Sequence, residues 1–126
     1  VKTIIASCFA VLLAGCVLQE AVKVYQLNTE METPPGGMMV GWRPENSVTA
    51  YYLTYLGLNG STLNVEYAEK KYQAYGPYLV ATQPLSFNIS KDSTIVCRTV
   101  KIRVLSVDNT GIRYIVLNDP PGMVKH

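Results

Sequence analysis

The chain carries one histidine, His126, one tryptophan, Trp42, and three cysteines, Cys8, Cys16 and Cys97. Structural zinc takes four Cys/His ligands and catalytic zinc usually three protein ligands. Beyond residue 16 the chain offers one cysteine and one histidine, so no metal is expected. The sequence also lacks a G-x-S-x-G elbow, a P-loop, a G-x-G-x-x-G turn and a D-x-D-x-D-G calcium loop. No cofactor is expected either. Charge is scarce, with eleven basic and nine acidic residues among 126. A nucleic-acid partner needs a clustered basic face, so none is expected. No apolar run reaches the roughly 20 residues that a membrane-spanning helix requires.

A shorter apolar run is present at the start. Lys2 supplies a positive charge, and Ile4 to Leu13 is apolar or small throughout. That is the layout of a charged n-region followed by the apolar core of a signal peptide. Ala14 and Gly15 are small, as a peptidase that binds an extended chain requires, and Cys16 follows them. Val1 is compatible with a non-ATG start codon read literally, or with a slightly shortened N-terminus. The alternative is an uncleaved apolar core helix that happens to contain Cys16.

The stretch Leu13-Ala14-Gly15-Cys16 resembles the lipobox of bacterial lipoproteins: Leu, a small residue, Gly or Ala, then Cys. The resemblance implies a signal peptide over 1–15, cleavage before Cys16, a diacylglyceryl group on its sulfur and usually a third acyl chain on the new N-terminus. Two or more acyl chains anchor stably where one binds only marginally. Position 17 is Val; by resemblance to enteric lipoproteins, where Asp there retains the protein at the inner membrane, the expected address is the outer membrane, facing the periplasm. Cys97 is then the one free thiol in an oxidising compartment. It reads as a buried small hydrophobe in a strand, the alternative being an intermolecular disulfide or a reactive thiol. His126, at the C-terminus, is poorly placed to serve as its base.

The remainder reads as all-β. Residues 16–48 are expected to be a lipidated tether and linker, punctuated by Pro34-Pro35-Gly36-Gly37, with possible short strands at Val22 to Leu27 and Met38 to Arg43. Residues 49–118 are the expected all-β domain, and 119–126 a C-terminal tail. Thr49 to Leu56 is rich in strand formers. Asn59-Gly60 marks a hairpin, after which Leu63, Val65 and Tyr67 alternate with Asn64 and Glu66. Ala68 to Tyr78 suits either a helical turn or a loop. Leu85, Phe87 and Ile89 are in phase, and Pro84 places that segment at an edge or a bulge. Thr94 to Cys97 is a short strand, or part of a longer one kinked at Arg98. Val100, Ile102 and Val104 point inward, and a turn at Asp108–Gly111, with Gly111 available for positive φ, leads into Ile112 to Leu117. Turns every 8 to 12 residues indicate a small antiparallel sandwich or barrel of about five to seven strands. The fragments P-P-G-G-M at 34–38 and P-P-G-M at 120–123 echo each other, but their flanks do not match. The segment Tyr52 to Val116, with Y-L-G-L-N-G-S-T-L near its start and R-V-L-S-V-D-N-T-G-I-R-Y near its end, is similar to small all-β domains of uncharacterised bacterial lipoproteins.

Little in this pattern points to catalysis. Glu66 and Glu69 have the side chains of a glycosidase pair, but Glu66 stands on the polar face of an alternating strand. Asp92, Asp108 and Asp119 occupy turns. Asn59-Gly60-Ser61 and Asn88-Ile89-Ser90 match a glycosylation sequon and read as turn residues beside a bacterial lipobox. The unusual feature is tyrosine, nine residues against two phenylalanines. Tyr67, Tyr72, Tyr75 and Tyr78, with Lys70 and Lys71, form a candidate aromatic and cationic surface for a partner protein or a sugar ring. Trp42 is a second candidate anchor. The binding residues expected are therefore Trp42, Tyr72, Tyr75 and Tyr78, with the membrane as partner through Cys16 and an envelope protein or peptidoglycan as ligand. The function expected is a non-catalytic envelope module. The alternative is a receptor-blocking lipoprotein carried by a mobile element, and a glycan-acting enzyme comes third.

Overall fold

The structure, a computed structural model, describes residues 21–73, 76–90 and 93–123. The lipobox with Cys16, as well as Cys8, Tyr75 and His126, lies outside the described residues. Nine strands are present among the described residues: β1 (Val22–Val24), β2 (Glu30–Thr33), β3 (Met38–Arg43), β4 (Thr49–Asn59), β5 (Thr62–Gln73), β6 (Gly76–Asn88), β7 (Thr94–Cys97), β8 (Val100–Asp108) and β9 (Gly111–Val116). They form two antiparallel sheets, one of five strands in the order β1-β3-β4-β5-β6 and one of four in the order β2-β9-β8-β7. The result is a small β-sandwich, and no described residue is helical.

The count exceeds five to seven because residues 22–43, expected as tether and linker, contribute three strands split between both sheets. Tyr25, Met39, Val40 and Trp42 from this segment are buried in the core. The boundary expected at 48/49 therefore falls inside the five-stranded sheet. The proline and glycine cluster is a turn within the fold. Gly36 has φ +83°, and the Gly37 N–H donates to the Pro34 carbonyl at 2.9 Å. That is a type II turn, with Pro at its second position and a positive-φ glycine at its third. Pro120-Pro121-Gly122-Met123 repeats it, with Gly122 at φ +84° and the Met123 N–H donating to the Pro120 carbonyl at 3.3 Å. The sequence echo is thus one turn chemistry used twice. The second turn seats Pro120 and Met123 in the interior, and the Tyr25 hydroxyl donates to the Asp119 carboxylate. The segment expected as a tail is packed as far as Met123.

Alternation decides which residues face inward. On β8, Val100, Ile102 and Val104 are buried while Lys101 and Arg103 are exposed. On β5, Leu63, Val65 and Tyr67 are buried in the same rhythm, as a period of two requires. The described residues of the segment from Ala68 to Tyr78 are neither helix nor free loop. β5 continues to Gln73 and β6 returns from Gly76 in an antiparallel ladder. The charged residues that suggested a helical turn lie along this arm, where strand pairing overrides local propensity.

Turns hold three further particulars. Gly60 takes φ +64° as the first of two central residues, Gly60 and Ser61, the position that a II′ hairpin assigns to glycine. Arg98 takes φ +60° in a two-residue turn, so Thr94–Cys97 ends there and β8 is a separate strand. Gly111 does not adopt positive φ. A Cβ at this site would lie 2.8 Å from the Thr33 carbonyl oxygen, so glycine is needed for the close approach of β2.

Two tyrosines tie the sheets together. Tyr55 of the five-stranded sheet donates its hydroxyl to the Asp108 carbonyl at 2.8 Å. Tyr114 of the four-stranded sheet donates to the Met39 carbonyl at 2.6 Å. Burial pushes the Tyr114 hydroxyl up to about 12, so it remains a donor across the physiological range. Tyr114→Phe is expected to lower stability by about 1 to 3 kcal/mol, because a buried acceptor loses its donor; urea titration monitored by circular dichroism measures this. At the β8–β9 turn, Asp108 accepts hydrogen bonds from the Thr110 hydroxyl, the Thr110 N–H and the Gly111 N–H, which hold its carboxyl below the ordinary value of 3.8. A depressed acid stabilises the fold above its unfolded value and ceases to do so as pH falls through the folded one. Asp108→Ala is therefore expected to lower the melting temperature at pH 7, and the gap from wild type should close as acid protonates Asp108.

Candidate functional site

Two surfaces of the five-stranded sheet carry the expected binding residues. The first is a shallow cavity of about 240 Å³ on its outer face, lined by Val22, Val24, Gly41, Trp42, Arg43, Ala50, Tyr52 and Tyr72. Gly41 and Ala50, on the central strands β3 and β4, provide almost no side chain and so leave the depression. Val22 and Val24 border it from β1, and Tyr52 and Tyr72 from β4 and β5. A Cβ on Gly41 would lie 3.2 Å from the Tyr52 ring, so glycine lets that ring lie against the strand. The Tyr52 and Tyr72 hydroxyls are 2.5 Å apart. The Lys70 ammonium stands 5.3 Å from the Tyr52 ring centroid, a cation–π distance. Burial, with the Tyr72 hydrogen bond second, pushes the Tyr52 hydroxyl up to about 12.

The structure brings Trp42 and Tyr72 to this cavity and separates Tyr78 from it. Tyr78 pairs with Lys71, whereas Tyr72 pairs with Pro77; neighbouring pairs face opposite sides of a sheet. Trp42 itself is a core residue, only 6% exposed. It stacks on Tyr51 with ring centroids 5.3 Å apart, and Tyr51 stacks on Tyr67 at 6.3 Å. The Arg98 guanidinium closes this row, 4.5 Å over the Tyr67 ring. The cavity residues missed in the sequence are Val22, Val24, Gly41, Arg43, Ala50 and Tyr52. The alternation Val22-Lys23-Val24 was the available signal for the first two.

The second surface is the edge strand β6. Its thirteen residues contain no charged side chain, and among the described residues no strand pairs with its far side. The Ile89 N–H donates to the Ser61 carbonyl at 3.0 Å, so odd-numbered residues down to Ala81 bond toward β5 and even-numbered ones face away. Val80 is a bulge between the Glu69–Ala81 and Lys70–Leu79 pairs, and it shifts the phase by one. The Tyr72 N–H donates to the Val48 carbonyl, so Lys71 and Gln73 turn to β6 and their partners Tyr78 and Gly76 bond inward. Pro77 and Pro84 therefore both occupy outward positions, where a missing N–H costs the ladder nothing. Between them, Leu79 and Thr82 present backbone groups to solvent, beside the exposed side chains of Tyr78, Leu79 and Val80.

Glu66 and Glu69 do not form a pair, since three residues apart on one strand puts them on opposite faces. Glu69 accepts the Tyr67 hydroxyl at 2.7 Å. Among the described residues no group of three or more His, Cys, Asp or Glu is placed to hold a metal ion. No protein-family model, no curated protein and no solved structure matches the chain.

Cys97 is fully buried, and burial pushes its thiol up to about 12. The thiolate is the reactive form, so native Cys97 is expected to resist maleimide at pH 7 and to react fully in denaturant; intact mass before and after unfolding measures both.

Proposed function

We propose that the protein is a non-catalytic binding module of the bacterial cell envelope, anchored to the outer membrane through acylated Cys16 and facing the periplasm. It holds an envelope protein by adding an extended segment of that partner to β6. The observation that carries this reading is the long, uncharged far edge of β6, with which no strand pairs among the described residues. Folded proteins protect such edges with charge, proline or a covering element, because an open edge templates pairing with another chain. Here Pro77 and Pro84 interrupt the edge and the Arg98 guanidinium reaches the Gln83 side chain at 3.3 Å, while among the described residues no strand pairs with the far side of the window from Tyr78 to Gln83. Main-chain bonds in such a mode supply affinity, and side-chain contacts supply specificity. Leu79 and Val80, 56% and 48% exposed, are the apolar contacts. A tether at Cys16 supports the reading because confinement to the membrane raises the effective concentration of the module, so modest affinity suffices.

The test is in-cell photo-crosslinking from position 79. One envelope protein should be enriched, and Thr82→Pro should reduce its capture by roughly tenfold, the equivalent of about 1.4 kcal/mol. The Thr82 N–H faces outward, so this proline removes an edge donor and spares the β5 ladder; an unchanged circular dichroism melt checks that. Capture indifferent to Thr82→Pro, or recovery of peptidoglycan alone, would overturn strand addition.

A further inference from the structure

We propose that the outer face of the five-stranded sheet, around the cavity of Val22, Val24, Tyr52 and Tyr72, rests on the phospholipid surface to which the protein is tethered. This rests on the reading that Cys16 is acylated. It adds an orientation: the domain lies face-down on the bilayer and does not swing free on its anchor.

The first argument is reach. Val22 is six residue steps along the chain from Cys16, and a fully extended chain covers at most about 3.3 to 3.6 Å per residue. β1 therefore lies within about 20 Å of the acylated sulfur, less than the thickness of a bilayer's hydrocarbon core. The cavity is bordered by β1 itself, so this face lies within the anchor's reach, and its chemistry distinguishes it from the other surface that β1 borders.

The second argument is the chemistry of the face. The alternation Val-Lys-Val puts both valines on the outer side, 46% and 51% exposed, and turns Lys23 away, where its ammonium meets the Asp119 carboxylate at 3.4 Å. Two exposed valines at the point of attachment have no apolar cover among the described residues. Tyr52 and Tyr72 add rings with polar tips, the side chains that settle at the boundary between lipid and water. Arg43 lines the same cavity, and Lys70 stands over the Tyr52 ring. Both are cations suited to the phosphates of an anionic lipid surface. Glu66, the acid of β5 on this side, is four residues from Lys70, about 14 Å along a strand. Apolar, interfacial and cationic groups thus share one face beside the anchor. β6 lies at the opposite margin of the same sheet, so a face-down domain leaves its edge open sideways.

The test uses the full acylated chain in vesicles of phosphatidylethanolamine and phosphatidylglycerol containing no other protein. Single cysteines replace Val24, Tyr72 or Lys101, the last exposed on the four-stranded sheet. Each is labelled with a nitroxide, and its collision with dissolved oxygen and with a water-soluble nickel complex is read by electron spin resonance. Buried Cys97 is not labelled in the native state. Intact mass establishes whether Cys16 carries its lipid. Labels at 24 and 72 should show a several-fold lower access to nickel relative to oxygen than the label at 101. Equal nickel access at all three sites on an acylated chain would overturn the face-down orientation while leaving the tether intact. An unacylated chain with all three labels in water would overturn the tether and the orientation together. Protection at 24 and 72 that appears only when envelope protein is added would assign the face to a protein and overturn the lipid contact.

Discussion

The sandwich depends on how its two sheets are held face to face with no disulfide among the described residues. Apolar packing between the inner faces provides the driving force, but such packing is non-directional. Direction comes from tyrosine. Tyr55 reaches from β4 to the Asp108 carbonyl, and Tyr114 reaches from β9 to the Met39 carbonyl. One tie runs in each direction across the interior. A third hydroxyl, that of Tyr25, holds the C-terminal turn through Asp119. Phenylalanine would fill the same volume and take the tyrosine donor from each acceptor, leaving the Asp119 carboxylate to the Lys23 ammonium. Three of the nine tyrosines thus meet a requirement that phenylalanine cannot, a ring that packs and a tip that fixes one segment against another.

This explains which parts of the molecule were legible in the sequence. The inward sets on β5 and β8 follow from simple alternation, and the hairpin at Asn59-Gly60 follows from turn chemistry. Residues 22–43 were harder because their strands are short and divided between sheets. β2 pairs with β9 and β3 with β4, and no local period records a pairing with a strand some eighty residues away. Ala68 to Tyr78 misled for a different reason. Its lysines and glutamate suit a helix, and what makes them strand is a long-range ladder with β6.

The site divides in the same way. Trp42 and Tyr72 were identifiable by residue type, yet type alone did not distinguish a ring that stacks in the core from one that borders a cavity. Tyr72 and Tyr78 looked like one cluster in sequence and stand on opposite faces because the hairpin pairs them one step out of phase. The floor of the cavity is made of Gly41 and Ala50, residues whose contribution is the space they leave, and that carries no sequence signal.

The pairing of β2 with β9 also bears on when the chain can fold. Glu30 meets Ile115, and Thr33 meets Ile112, while the end of the sandwich is plugged by Pro120 and Met123. Closing such distant contacts is slow compared with forming hairpins. The four-stranded sheet therefore cannot be completed until β9 has emerged, and β2 waits for it while its sequence neighbours β1 and β3 pair with each other and β3 with β4. A chain that still lacks its last strand can thus pair β1, β3, β4, β5 and β6 but has no closed face to bury them against, so the core is sealed only when β9 takes its place between β2 and β8.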